Sequence, residues 1–217
     1  MKNLNWIVGI FFCFFLLTSC TKSDDTYAEI VTDFGTMKVM LYNSTPKHKE
    51  NFIKLANEGF YNGTIFHRVI DGFMIQGGDP DSRTAAPGQQ LGQGGPGYTL
   101  EAEIGSPHFR GALSAARLGD NVNPERRSSG SQFYVVQGRK IDDSMLDQIE
   151  RQNGIRYNQA QRDLYKKIGG TPFLDNQYTV FGEVVEGFDV IDKIARAQKD
   201  QFDRPFEDIK MEVRIVN

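Results

Sequence analysis

The chain has 217 residues, of which 39% are hydrophobic, 24% charged and 12% aromatic, a composition that belongs to one folded domain, or one domain with an insertion, and not to a disordered chain. With 25 Lys and Arg against 28 Asp and Glu the net charge is −3, so there is no basic footprint for nucleic acid. Two Cys and three scattered His argue against a disulfide framework, a Cys-rich zinc site or a His-based metal centre, and no cofactor or metal is expected.

The first nineteen residues read as an address. Lys2 supplies a positive start, and Trp6 to Leu17 is an unbroken apolar run, too short to span a bilayer as a helix. The run ends in Leu17-Thr18-Ser19-Cys20, which resembles the lipobox of bacterial lipoproteins, with Cys20 as the lipid acceptor. A transmembrane anchor fits poorly, because Lys22, Asp24 and Asp25 follow at once. The expected organisation is a signal peptide over 1–19, a lipidated polar tether over 20–26 and a folded domain over 27–217. The expected location is the cell envelope, anchored through the lipid to a bacterial membrane at its periplasmic face or at the cell surface.

Tyr27 to Thr32 and Thr36 to Tyr42 read as strands joined by a turn at Asp33-Phe34-Gly35. Thr45-Pro46 opens a helix, with Thr45 as N-cap and Pro46 at the first helical position; Phe52, Leu55, Ala56 and Phe60 recur at helical spacing, and Gly59 caps the end. Short strand-like runs follow at Ile65 to Val69, Phe73 to Gln76, Tyr98 to Glu103, Ala112 to Arg117, Gln132 to Gln137 and Tyr178 to Val184. Phe188 to Arg196 reads as a helix burying Phe188, Ile191 and Ala195. Asp208 to Val216 alternates as a last strand, with Ile209, Met211, Val213 and Ile215 on one side. Many short strands and two helices predict a closed β-barrel with helices over its ends.

One segment departs from this pattern. Residues 138–170 are polar and helical, broken at Asn153-Gly154, with Asn158 capping a second helix. The apolar positions are Met145, Leu146 and Ile149, then Leu164, Tyr165 and Ile168. One narrow stripe per helix lets the two pack on each other and on the barrel but makes no separate core.

Three stretches carry chemistry. The first runs Phe66-His67-Arg68-Val69-Ile70-Asp71-Gly72-Phe73-Met74-Ile75-Gln76-Gly77-Gly78-Asp79. The second is Gly111 to Arg117 followed by Gly130-Ser131-Gln132-Phe133-Tyr134-Val135. The third is Phe173-Leu174-Asp175 with Tyr178 to Val184. Together, and in order, they resemble the cyclophilin family of peptidyl-prolyl cis/trans isomerases from about Ala28 to Val216. The resemblance implies a mainly β fold, a closed eight-stranded antiparallel barrel capped by two helices, here with a helical hairpin inserted near 138–170. It implies a monomer that acts on proline-containing polypeptides and speeds the folding of exported proteins. A non-catalytic proline-peptide binding or chaperone module on the envelope is the alternative.

The chemistry sets what such a site needs. Rotation about an X-Pro bond faces a barrier of roughly 18–20 kcal/mol because amide resonance must be broken. No bond is made or cut, so the catalyst must bind the twisted amide better than either planar form. By resemblance, Arg68 donates to the proline nitrogen of that twisted amide, Gln76 steadies Arg68 and contacts the substrate backbone, and Phe73 completes the catalytic group. Met74, Tyr134 and Leu174 join Phe73 as walls of the proline cup. Ala116 and Arg117 pair with the peptide backbone, Gln132 lies beside them, and Phe173 and Tyr178 form the rim. Tyr134 stands where the family usually has Phe. Phe173 stands where its best-known members have Trp, which implies weaker cyclosporin binding. Read without the resemblance, Arg68 is a solvated strand residue, His67 a packed and hydrogen-bonded histidine, and Phe133 and Phe181 core. The Gly88 to Gly97 run lacks the Gly-Lys-Ser/Thr ending and following helix of a phosphate loop.

Overall fold

The computed structural model describes residues 25–216; the signal segment, Cys20 and all but the end of the tether lie outside the described residues. The chain opens with a hairpin of β1 (Thr26–Thr32) and β2 (Gly35–Leu41), in which Thr32 faces Gly35 across a two-residue turn. Ala28 and Ile30 alternate inward against Met37, Val39 and Leu41, as a period of two demands.

Helix α1 (Pro46–Asn57) follows, and it corrects one expectation. Thr45 holds the N-cap position, but its hydroxyl donates to the carbonyl of Tyr42 and caps nothing. The exposed amides of the first turn, Lys47 N and His48 N, donate instead to the carboxylate of Glu103 at 3.1 and 3.0 Å. A carboxylate at a helix N-terminus satisfies orphan donors and complements the helix dipole. Glu103 is free to do so because the expected strand at 98–103 is short: only β5 (Thr99–Leu100) pairs, with β7 (Ser128–Ser129).

Eight strands form one antiparallel sheet. To β1 and β2 are added β3 (Arg68–Ile70), β4 (Met74–Gly77), β6 (Ala112–Ala115), β8 (Phe133–Val136), β9 (Val180–Glu186) and β10 (Glu212–Val216). Their order is β10-β1-β2-β9-β6-β8-β4-β3. The sheet curls on itself, but the expected closure is incomplete. No ladder joins β3 to β10. The seam is held by one bridge, Ile65 to Lys210, flanked by Phe66 N to Ile209 O and Met211 N to Thr64 O. The outer edge of β3 is taken by the 199–206 loop, where Val69 N donates to Asp203 O.

Inside the curl lies the main core. Phe52 and Leu55 of α1 meet Phe66, Phe133 and Phe181 there, with Val190, Ile191 and Ile194 of α4 (Phe188–Ala195). Phe188, expected on the buried face of α4, is more than a third exposed and lies against Arg110 and Gly111. The buried face is Val190, Ile191, Ile194 and Ala195.

The 138–170 segment is a hairpin of α2 (Asp143–Asn153) and α3 (Gln159–Ile168). Asp142 caps α2, Gly154 ends it in the left-handed region, and Asn158 with Gln161 forms a capping box on α3. Leu146, Ile149 and Tyr165 are buried, whereas Met145 and Ile168 face solvent, so each stripe is narrower than its apolar pattern. Arg162 joins the two helices by ion pairs to Asp143 and Asp147.

Candidate functional site

The pleat of the sheet decides which side chains meet. Across four strands, Arg68, Gln76, Tyr134 and Ser114 are register partners in one row; Ile70, Met74 and Val136 form the next. Their sequence neighbours Val69, Ile75, Phe133 and Val135 point the other way, into the core. The candidate site is therefore on the outer wall of the curled sheet.

There Met74, Ala112, Ala116, Tyr134, Val136 and Val180 form a second buried apolar cluster, with Phe73, Leu174 and Tyr178 packed against it. This is a cup walled by side chains from β4, β6, β8 and β9 and from the turns around them. The Phe173 ring lies 5.6 Å from that of Phe73 and is 47% exposed, which makes it a rim residue. Tyr178 stands edge-on to Tyr134 at 5.9 Å, and the Arg117 guanidinium covers the outer face of Tyr178 at 4.6 Å. The structure thus gathers all the residues expected in the cup and on its rim.

A polar chain borders the cup. Arg68 Nη1 is 3.5 Å from Gln76 Oε1, Gln76 Nε2 donates to Gln132 Oε1 at 3.2 Å, and Gln132 Nε2 donates to the carbonyl of Gly94 at 2.7 Å. The Gln132 side chain is largely buried between Gln76 and Gly94, at the edge of the depression that it helps to line. The glycine run around Gly94 is held from behind by Asp79, whose carboxylate accepts from Gly92 N and Gly94 N. Its amides serve a carboxylate of the same chain.

Ala116 and Arg117 differ in what they offer a peptide. Ala116 uses its N–H on Gln132 O and its carbonyl on Ser129 N, so its backbone is already paired. Arg117 has no backbone hydrogen bond among the described residues, and its side chain is tied to Gln177 O and Asp120. A depression of about 640 Å³ adjoins the cup and shares Gln76, Ala116, Arg117 and Gln132 with it, reaching Tyr98, Val122 and Arg127.

Three site residues were not found by sequence reasoning. Asp203 lies 3.9 Å from Arg68 Nε and also pairs with Lys199. His108 and Asp175 lie behind the cup, where His108 Nε2 meets the Tyr134 hydroxyl at 3.0 Å. Asp175 directly follows Phe173-Leu174 in the third motif, and nothing in the spacing of His108 links it to Tyr134. His67 is buried, as expected, and its ring has no side-chain hydrogen-bond partner, only a weak backbone contact with Ile65. Burial lowers its pKa from 6.5 to about 4, outweighing the opposing charge of Asp79. It is a neutral packing residue.

A curled eight-stranded antiparallel sheet with two helices on its core and an apolar cup on its outer wall is the architecture of the cyclophilins. The family model for cyclophilin type peptidyl-prolyl cis-trans isomerases matches residues 27–215. A Staphylococcus aureus protein named "Putative peptidyl-prolyl cis-trans isomerase" is 37% identical over 182 residues, covering 83% of this chain and 86% of that one. A protein of the same name from Staphylococcus saprophyticus is 38% identical over 175 residues, covering 80% and 82%. Among solved structures, a Cryptosporidium parvum cyclophilin type peptidyl-prolyl cis-trans isomerase aligns with a TM-score of 0.63 at 25% identity, covering 89% of this chain and 98% of that one. The same Cryptosporidium protein in the presence of the dipeptide Ala-Pro aligns with a TM-score of 0.62. The chain belongs to the cyclophilin family and is a peptidyl-prolyl cis-trans isomerase.

Proposed function

We propose that this isomerase acts on X-Pro bonds of exported polypeptides from a lipid-anchored position, with Arg68 as the catalytic donor. The observation that carries the catalytic assignment is the row that sets Arg68 and Gln76 beside the cup of Phe73, Met74, Tyr134 and Leu174. A proline ring seated in this cup brings its nitrogen to the polar border. As the amide twists, that nitrogen gains a lone pair, and a fixed guanidinium N–H stabilises it more than it stabilises the planar form. Gln76 holds Arg68 and offers an amide to the substrate backbone. Phe73 closes the cup, and the free backbone of Arg117 takes the extended peptide. The Ala-Pro dipeptide present with the Cryptosporidium structure supports a proline-containing substrate. The polar border also favours catalysis over mere binding, because a simple binder has no use for a buttressed cation beside the cup.

Two measurements test this. Isomerisation of an Ala-Ala-Pro-Phe tetrapeptide by residues 21–217, followed by NMR exchange, should be fast and should depend on Arg68; equal rates with a folded Arg68→Ala protein would refute the assignment. The anchor rests on Leu17-Thr18-Ser19-Cys20 and the apolar run before it. Metabolic labelling with a fatty acid should mark the wild-type protein and leave Cys20→Ser unmarked, and an unlabelled, soluble wild type would refute it.

A further inference from the structure

The helical hairpin reaches the proline cup through hydrogen bonds. Tyr134, in the wall of the cup, is stacked on His108 at 6.1 Å with an angle of 10° between the rings. Its hydroxyl lies 3.0 Å from His108 Nε2. On the far side of the imidazole, Nδ1 lies 2.8 Å from Asp175 Oδ1, and the His108 backbone N–H donates to the same oxygen at 2.7 Å. The other carboxylate oxygen, Oδ2, accepts from Tyr165 OH at 2.6 Å and from Tyr157 OH at 2.7 Å. Tyr165 is on α3 and Tyr157 on the link before it, so both donors come from the inserted segment.

The direction of each bond follows from the chemistry. A carboxylate only accepts, so His108 Nδ1 carries the proton toward Asp175. In the neutral ring Nε2 is then the acceptor, and the Tyr134 hydroxyl donates to it. Both hairpin tyrosines have their acidity suppressed, first by burial and then by the Asp175 charge, so they remain donors. Asp175 is buried and receives four donors, which offsets the cost of a carboxylate removed from water. It also directly follows Phe173-Leu174, so the group that orients His108 sits next to the rim.

We propose that Tyr165 is a positioning residue for isomerisation, acting on Tyr134 through Asp175 and His108. The proposal rests on the reading of the Tyr134 cup as the proline site. A buried carboxylate that loses a donor rearranges, its imidazole tilts, and the Tyr134 ring loses its fixed place in the cup wall. Residues that act as one chain show non-additive substitutions.

The test compares kcat/KM for the Ala-Ala-Pro-Phe tetrapeptide, well below the melting temperature, in five variants of the mature protein. Tyr165→Phe keeps the ring and its packing and removes one hydroxyl. It should lower kcat/KM about three- to tenfold, the range that one lost hydrogen bond spans, chiefly through KM. In a Tyr134→Phe background the same change should have no further effect. Lys166→Ala, which breaks the surface ion pairs of the hairpin to Asp143 and Asp163, should leave kcat/KM unchanged. Arg68→Ala reports separately on the catalytic reading: if it stays fully active, that reading fails whatever the tyrosines do. A wild-type kcat/KM in Tyr165→Phe overturns the proposal, as does an equal loss in the Tyr134→Phe background. The imidazole ¹⁵N shifts of His108 supply a readout independent of turnover: they should move in Tyr165→Phe and stay fixed in Lys166→Ala.

Discussion

Arg68 and Gln76 face each other directly across the β3–β4 ladder, with Arg68 Nη1 3.5 Å from Gln76 Oε1. At that length the contact guides more than it binds. The glutamine is itself held by Gln132, which is held by the backbone of Gly94. The second neighbour of Arg68, Asp203, is half-exposed at 3.9 Å and shares its charge with Lys199. An exposed pair of that kind contributes about 0–1 kcal/mol.

Arg68→Ala should lower kcat/KM by about a hundred- to a thousandfold, the ~2.7–4 kcal/mol typical of one preorganised donor. Gln76→Ala should cost more activity than Asp203→Ala, whose effect should stay within a few-fold. The tetrapeptide exchange assay ranks the three, and an Asp203→Ala loss larger than that of Gln76→Ala would reverse which neighbour orients the arginine.

Glu103→Ala should destabilise the domain by about 1–2 kcal/mol, since it strips two first-turn amides of α1 of their acceptor. The same carboxylate also meets the buried His48 Nδ1 at 2.6 Å, which adds to the loss. Glu101→Ala, a change at an exposed carboxylate paired only with Lys47, is the control and should be near neutral. Urea unfolding at pH 7 measures both.

Stability should fall with pH between about 6.5 and 4, through His67. The folded ring titrates at about 4 and the unfolded one near 6.5. In that window the unfolded chain binds a proton that the folded chain excludes. The contribution is therefore complete above 6.5 and lost as pH falls through 4, a total of roughly 3 kcal/mol. Burial is the cause; Asp79 opposes it, and Arg68 and Arg204 reinforce it. The urea midpoint should drop between pH 7 and pH 5, and His67→Phe should flatten that slope.

Phe173→Trp should strengthen cyclosporin binding by roughly 1–3 kcal/mol, because the exposed rim ring gains an indole N–H donor and more area against Phe73. Calorimetric titration reads this. Tight, near-stoichiometric inhibition of the wild-type chain would show that a rim donor is not needed.

Much of the molecule was legible in local pattern. The β1–β2 hairpin, the extent of α1, the two inserted helices with their Asn158 capping box, and the alternation of Met74 and Gln76 against Ile75 all follow from spacings of two to four residues. By resemblance the motifs assigned Arg68, Gln76, Met74 and Tyr134 to one site; that β4 pairs with both β3 and β8 is shown only by the sheet itself.

Tertiary structure decided the rest. Helix α1 is capped by Glu103 and not by Thr45, because the acceptor arrives from 55 residues away, once β5 has stopped pairing. The sheet stays open beside β3 because the 199–206 loop occupies that edge. Tyr165 reaches Asp175, behind His108 and Tyr134, only when the inserted hairpin packs on the barrel wall. The physical reason is common to all three. A period of 2 or 3.6 specifies which face of an element is apolar. The partner that a buried donor or acceptor finds is chosen by the elements that fold against it, and for these residues those elements lie tens of positions apart in the chain.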